Sequence, residues 1–169
     1  VNAVVYTDHA QRFNAALASA DPGFEVNLLQ ISKLGPDTAI LLREKIERGE
    51  LLVIVGDRTP PAESGRVVTA DFLGAPALFP QGPFILAALL ECPVFLFVCA
   101  HEQRGYCVHF EPFAERIELP RGRREAAIAV YAQRYADRLS VLCQRAPFQW
   151  FNFFDFWAGA DSARARQFP

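Results

Sequence analysis

The residues best placed to do chemistry stand in a row at Asp57-Arg58-Thr59: a carboxylate, a guanidinium and a hydroxyl. They follow five apolar residues, Leu51-Leu52-Val53-Ile54-Val55, and then Gly56. A short, partly β-branched run behind Gly49 reads as a buried strand. Open α/β sheets place ligands beyond the C-terminal ends of their strands. An arginine there offers a planar fork to phosphate or carboxylate. The plainer alternative is a turn in which the Asp57 side chain bonds backbone amides.

A second cluster, Phe79-Pro80-Gln81-Gly82-Pro83, opens an apolar helix. Gly82 at a helix start either lets a ligand approach the backbone or merely packs tightly. Other chemistries lack their patterns. Ser64 with His101 or His109 has no Gly-x-Ser-x-Gly elbow to present it. No Gly-x-Gly-x-x-Gly or P-loop pattern occurs, and no cofactor is expected. Cys92, Cys99, Cys107 and Cys143 form no CxxC pair and share no ligand spacing with the three histidines. Buried thiols in a reducing compartment are therefore expected, and no metal site.

The positioning elements follow from pattern. Strands are expected at Ala3-Val4-Val5-Tyr6 and from Glu25 to Gln30, with a helix after Asp8 and a turn at Asp21-Pro22-Gly23 between them. Pro36 suits the first turn of a helix ending near Gly49, with Ala39, Leu42 and Ile46 on its apolar stripe. A loop over 59–66 leads to a short strand from Arg66 to Phe72. A helix from Gln81 to Glu91, a buried strand from Val94 to Cys99 and an antiparallel neighbour from Tyr106 to Phe110 come next. Alternating strands and helices predict an α/β fold with a mixed, mostly parallel sheet flanked by helices.

The last long helix is expected from Arg124 to Arg145, with Ile128, Tyr131, Tyr135, Leu139 and Leu142 facing inward. Arg123, Arg134, Arg138 and Arg145 make a separate stripe. It is either a solvated face or a basic rim for anionic headgroups or an acidic protein. Pro147 ends the helix, and seven of the ten residues from Phe148 to Trp157 are aromatic. They either cover one edge of the core or meet an acyl chain or membrane interface.

At 169 residues, 51% of them hydrophobic, the chain is about one domain with a real core. A formal charge of −2 gives no basic signal for nucleic acid. Residues 1–112 carry 8 Lys+Arg against 13 Asp+Glu, and 113–169 carry 9 against 6, so the C-terminal third is basic. The longest apolar stretch, Phe84 to Ala100, is broken by Glu91 and Pro93 and is short of the roughly 20 residues of a spanning helix. No signal peptide is visible. The chain lacks Met and begins near a strand, so it reads as a piece of a longer protein.

Taken in order, these segments resemble the C-terminal part of the lipid A biosynthesis (lauroyl/myristoyl) acyltransferase family. The matching pieces are Glu47-Arg48-Gly49-Glu50, Gly56-Asp57-Arg58-Thr59-Pro60, Asp71-Phe72-Leu73-Gly74, Phe79-Pro80-Gln81-Gly82-Pro83, Cys92-Pro93-Val94 and Trp150-Phe151-Asn152-Phe153-Phe154. The resemblance covers residues 1–157, with 158–169 expected as a disordered tail. It implies a glycerolipid-acyltransferase-like fold, truncated at its N-terminus. It also implies transfer of a fatty acyl chain from an acyl carrier protein thioester to a hydroxyl of a glycolipid. The place would be the cytoplasmic face of the bacterial inner membrane, with the chain held peripherally against an anionic lipid surface. Asp57 and Arg58 would then be the catalytic residues, and Thr59, Gly82, Arg134 and Arg138 would contact substrate. Asp57 would position Arg58, a neighbouring arginine or the acceptor sugar, and Arg58 would face a phosphate of donor or acceptor.

The family's catalytic signature, a His followed five positions later by an acid, is missing. His9 is followed at that distance by Asn14, His101 by Tyr106 and His109 by Ala114. The expectation is that the general base lies upstream of Val1 and that this chain alone is inactive. The alternative is a non-catalytic lipid- or carrier-binding fragment.

Overall fold

The computed structural model describes residues 1–5, 27–30, 36–59 and 66–157. The expected helix after Asp8, the turn at Asp21-Pro22-Gly23, the 60–65 stretch with Ser64, and the 158–169 tail lie outside them. So does His9. The chain divides into two compact units, Val1–Gly56 and Asp57–Pro169.

In the first unit, β1 (Asn2–Val5) is the central strand of a parallel sheet, between β2 (Asn27–Gln30) and β3 (Leu52–Ile54). Helix α1 (Pro36–Glu47) starts on a proline, whose missing N–H costs nothing in a first turn. It stops where Gly49 takes φ +80, a left-handed conformation that favours glycine. The amides of Gly49 and Glu50 return to the carbonyls of Ile46 and Lys45. Glu50 then secures this corner. Asn2 Nδ2 donates to its Oε2 at 3.0 Å, Lys45 Nζ lies 3.3 Å from the same oxygen, and Arg48 Nη2 lies 3.1 Å from Oε1. The Asn2 amide first, then Arg48 and Lys45, hold the Glu50 carboxyl down at about 2.

The Leu51–Val55 run was expected to be buried on both faces. Instead Leu51, Val53 and Val55 are exposed, and Leu52 and Ile54 are half-buried. β3 is an edge strand of this small sheet, and its alternate residues face away from the packed side.

The second unit overturns the expectation of a mostly parallel sheet. Its strands form two antiparallel hairpins, β4 (Val67–Phe72) with β5 (Ala75–Pro80), and β6 (Val94–Glu102) with β7 (Gly105–Ala114). The protein is mixed α/β, and its described residues form one three-stranded parallel sheet and two antiparallel pairs. The reason lies in connection length. Two-residue links, Leu73-Gly74 and Gln103-Arg104, can only reverse the chain, whereas a parallel crossover needs a dozen or more residues. Leu73 and Gly74 both have positive φ, 52° and 90°, the backbone of a tight hairpin turn.

Helix α2 (Gly82–Leu90) separates the hairpins, and α3 (Arg124–Arg145) packs on β4. The core collects Phe72 and Phe79, both fully buried, with Phe84, Phe113, Ile128, Ala132, Ala136 and Phe156. α3 therefore presents small alanines at its closest approach. Tyr131, Tyr135 and Leu139 flank them and are only partly buried. Two glutamines finish strand edges with their side-chain amides. Gln133 exchanges bonds of 2.8 and 2.9 Å with the backbone of Asp71, and Gln149 exchanges bonds of 2.6 and 2.8 Å with that of His101. Each amide imitates a neighbouring strand and covers an edge that would otherwise invite pairing.

The strand from Val94 was also expected to be buried. Val94 and Leu96 pack on the core, but Phe95, Phe97, Val108, Phe110 and Tyr106 form an exposed opposite face. A two-stranded antiparallel ribbon needs only one covered face, so its pattern alternates. Among the described residues no helix is long and apolar enough to cross a membrane.

Candidate functional site

Asp57 opens the second unit, three residues past the end of β3. Trp150 meets it there. The chain reaches this position because α3 ends at Arg145 and Pro147–Gln149 forms one tight turn. Trp150 then swings inward against Phe72 and Phe156, with ring centroids 5.1 Å from each. Its indole Nε1–H emerges from that packing and donates to Asp57 Oδ2 at 2.9 Å. The carboxylate is nearly enclosed, with its side chain 14% exposed. A donor on a carboxylate is worth more than one on a neutral oxygen, and more where water is scarce.

Arg58 is held by the residues that follow. Its Nη2 donates to the Phe151 carbonyl at 2.8 Å and its Nη1 to Asn152 Oδ1 at 3.1 Å. Its Nε lies 3.9 Å from Asp57 Oδ1, and its Cζ stands 5.4 Å from the Phe154 ring centroid. Two neutral acceptors, an aromatic face and the Asp57 carboxylate at the edge of ion-pair range thus orient the guanidinium. Its side chain is 39% exposed, so part of this five-donor fork faces solvent. Asn152 Nδ2 is buried at the same corner with no hydrogen-bond partner among the described residues.

Tyr135 and Cys143 feel the same acid. Burial first, and the Asp57 charge second, push the Tyr135 hydroxyl well above the usual phenol range. The same two causes, in the same order, push the Cys143 thiol up to about 11. Both shifts favour the protonated forms at neutral pH. The corner offers one charged acceptor, Asp57, and one cation, Arg58.

The remaining candidates lie elsewhere in the contact pattern. Thr59 follows Arg58 in the chain and is half-buried. Gly82 begins α2, and a Cβ added there would meet no described atom within 4 Å. Arg134 lays its Cζ 4.9 Å from the Phe113 ring centroid, and Arg138 Nη1 approaches Glu111 Oε2 at 3.8 Å. Both arginines are therefore engaged with β7, whereas Asp57 and Arg58 are engaged with residues 150–154.

Sequence reasoning did not single out Trp150 and Asn152 as the partners of the two charged residues. A buried Trp needs an acceptor for its N–H, and that signal was available. The partner's identity, 93 positions away, was not. The aromatic run resolves into two sets. Trp150 and Phe156 enter the core, while Phe148 and Phe153 are 93% and 91% exposed and Phe151 is 67% exposed. Neither a protein-family model nor a curated protein matches the chain.

Proposed function

We propose that this chain belongs to an acyltransferase of the lipid A biosynthesis type, as its acceptor-side part. The reaction would move a fatty acyl chain from an acyl carrier protein thioester to a glycolipid hydroxyl, at the cytoplasmic face of the bacterial inner membrane. The observation that carries this reading is a polar corner beside an apolar rim. Asp57 and Arg58 are fixed by Trp150, Phe151 and Asn152, and Phe148, Phe151 and Phe153 stand exposed on the same short segment. An amphiphilic substrate, with a phosphorylated head and acyl chains, asks for both surfaces together.

In acyl transfer the hydroxyl oxygen attacks the thioester carbonyl. A C–O bond forms, the C–S bond breaks, and the hydroxyl proton leaves through a general base to the departing thiolate. Asp57 fits the part of a positioning acid and Arg58 that of a phosphate ligand. Thr59 and Gly82 would line the polar side, and Arg134 and Arg138 would face anionic headgroups.

A second reading has its own support. His109 bonds Glu102 at 2.8 Å and the His101 ring packs on Tyr106, so both described histidines are engaged on the β6–β7 hairpin. Neither is engaged with Asp57, which favours a non-catalytic lipid- or carrier-binding fragment. One experiment separates the readings. The chain is mixed with acyl carrier protein thioester and a phosphorylated glycolipid, and product and bound glycolipid are both measured. Binding without turnover is expected, with Arg58→Gln weakening binding about tenfold for the loss of one charge-assisted contact. Turnover would overturn the base-less assignment. Failure to bind either substrate would overturn both readings.

A further inference from the structure

Among the described residues, one group of metal-ligating side chains converges, and it lies on the hairpin rather than at Asp57. Glu102, Cys107 and His109 each offer one ligand atom, and these atoms all lie within 4.8 Å of one another. We propose that Glu102, Cys107 and His109 bind Zn2+ through one oxygen, one sulfur and one nitrogen, with the fourth position open to water. This inference is independent of the acyl-transfer reading.

Strand geometry explains the convergence. Cys107 and His109 are two residues apart on β7, so their side chains share one face. In the β6–β7 register Ala100 pairs with Cys107 and Glu102 with Gly105, which puts Glu102 on that same face. Ala100, directly across from the thiol, is small enough to leave the space over it clear. The longer Glu102 side chain runs back along the face and brings Oε1 to 2.8 Å from His109 Nε2.

That hydrogen bond marks the place a metal would take. An imidazole nitrogen and a carboxylate oxygen at this distance need to part by only about 0.5 Å to reach the roughly 3.3 Å between two ligands on a tetrahedral ion. Replacing the proton by Zn2+ needs bonds of about 2.0–2.2 Å to nitrogen and oxygen and about 2.3 Å to sulfur. The thiol must move in modestly, and it is half-buried at a hairpin end rather than locked in the core. Charge balances as well. A thiolate and a carboxylate around a neutral imidazole offset the two charges of the ion, and the thiol proton is released to solvent. The mixed donor set suits Zn2+, whereas Mg2+ and Ca2+ require oxygen ligands.

A search for CxxC pairs passes over this site because its spacing is Cys-x-His. That spacing becomes a ligand pair only if the segment is a strand, and its third member comes from across the turn.

The test uses the full chain freed of metal by chelation and titrated with Zn2+, and separately with Co2+ as a spectroscopic stand-in. One equivalent should bind, and Co2+ should give a thiolate charge-transfer band in the near ultraviolet. Cys107→Ser should abolish that band, and Glu102→Gln and His109→Ala should each weaken Zn2+ binding tenfold or more. Cys99→Ser, on the opposite face of β6, should leave both readings unchanged. Absence of stoichiometric binding would overturn the proposal. So would a band that survives Cys107→Ser, or one lost with Cys99→Ser.

Discussion

The bond from Trp150 to Asp57 is the contact on which the candidate site turns, and its strength can be worked out. In Trp150→Phe the ring largely remains but Nε1–H is gone, and the nearly enclosed Asp57 carboxylate loses its donor at 2.9 Å. A hydrogen bond to a charged group contributes roughly 1.5–3 kcal/mol. The smaller ring gives up part of its packing on Phe72 and Phe156, about 1 kcal/mol more. The single variant should therefore lose about 3 kcal/mol. At a urea slope of about 2 kcal/mol per molar, that lowers the unfolding midpoint by about 1.5 M. Packing and hydrogen bonding are separated by a cycle with Asp57→Ala and the double variant, followed by fluorescence of the remaining Trp157. The coupling energy should be about 2 kcal/mol, because only the bond is shared between the two changes. A coupling below about 0.5 kcal/mol would refute the claim that Trp150 holds the acid.

Two further outcomes follow from other parts of the molecule. Glu50 has its folded pKa depressed from 4.5 to about 2, so the stability it contributes is complete above the ordinary carboxylate range. It is lost as pH falls from about 4.5 towards 2; Glu50→Gln should flatten stability across that window, and an unchanged acid profile would refute the Asn2–Glu50–Arg48 linkage. Vesicle co-sedimentation should depend more on the aromatic rim than on the basic stripe. Phe148 and Phe153 are almost fully exposed, whereas Arg138 is shared with Glu111 and Arg134 rests on Phe113. Each Phe inserted gains roughly 1.5–3 kcal/mol and each cation about 1 kcal/mol. Replacing both phenylalanines by Ser should thus weaken binding to anionic vesicles more than Arg134→Gln with Arg138→Gln, and the reverse order would refute the rim.

Much of the local structure is legible from residues within a few positions of one another. Pro36 and Gly49 bracket α1. Pro147 ends the long helix, and the alternation from Tyr106 to Phe110 marks a strand beside β6. Each rests on a local rule: a missing N–H, a left-handed φ, a period of two. Strand β5 is different, because Ala75–Pro80 holds two prolines and no polar alternation. It becomes a strand through its partner. Pro76 stands opposite Asp71, and Pro80 opposite Val67. The backbone N–H and C=O of Asp71 turn outward to Gln133, and the Val67 carbonyl turns to Gln81. Both prolines therefore oppose residues that ask no N–H of β5, and their missing donors go unnoticed.

The direction of the second unit's strands, the inward turn of Trp150 and the meeting of Glu102 with Cys107 and His109 are of the same kind. Residue type and spacing supply the donors and acceptors, but a side chain's partner is whichever group the packed core leaves within reach. For Asp57 and Arg58 that group lay more than ninety positions away, beyond any periodicity in the chain. Only burial of the Phe72–Phe79–Phe156 cluster brought it to them.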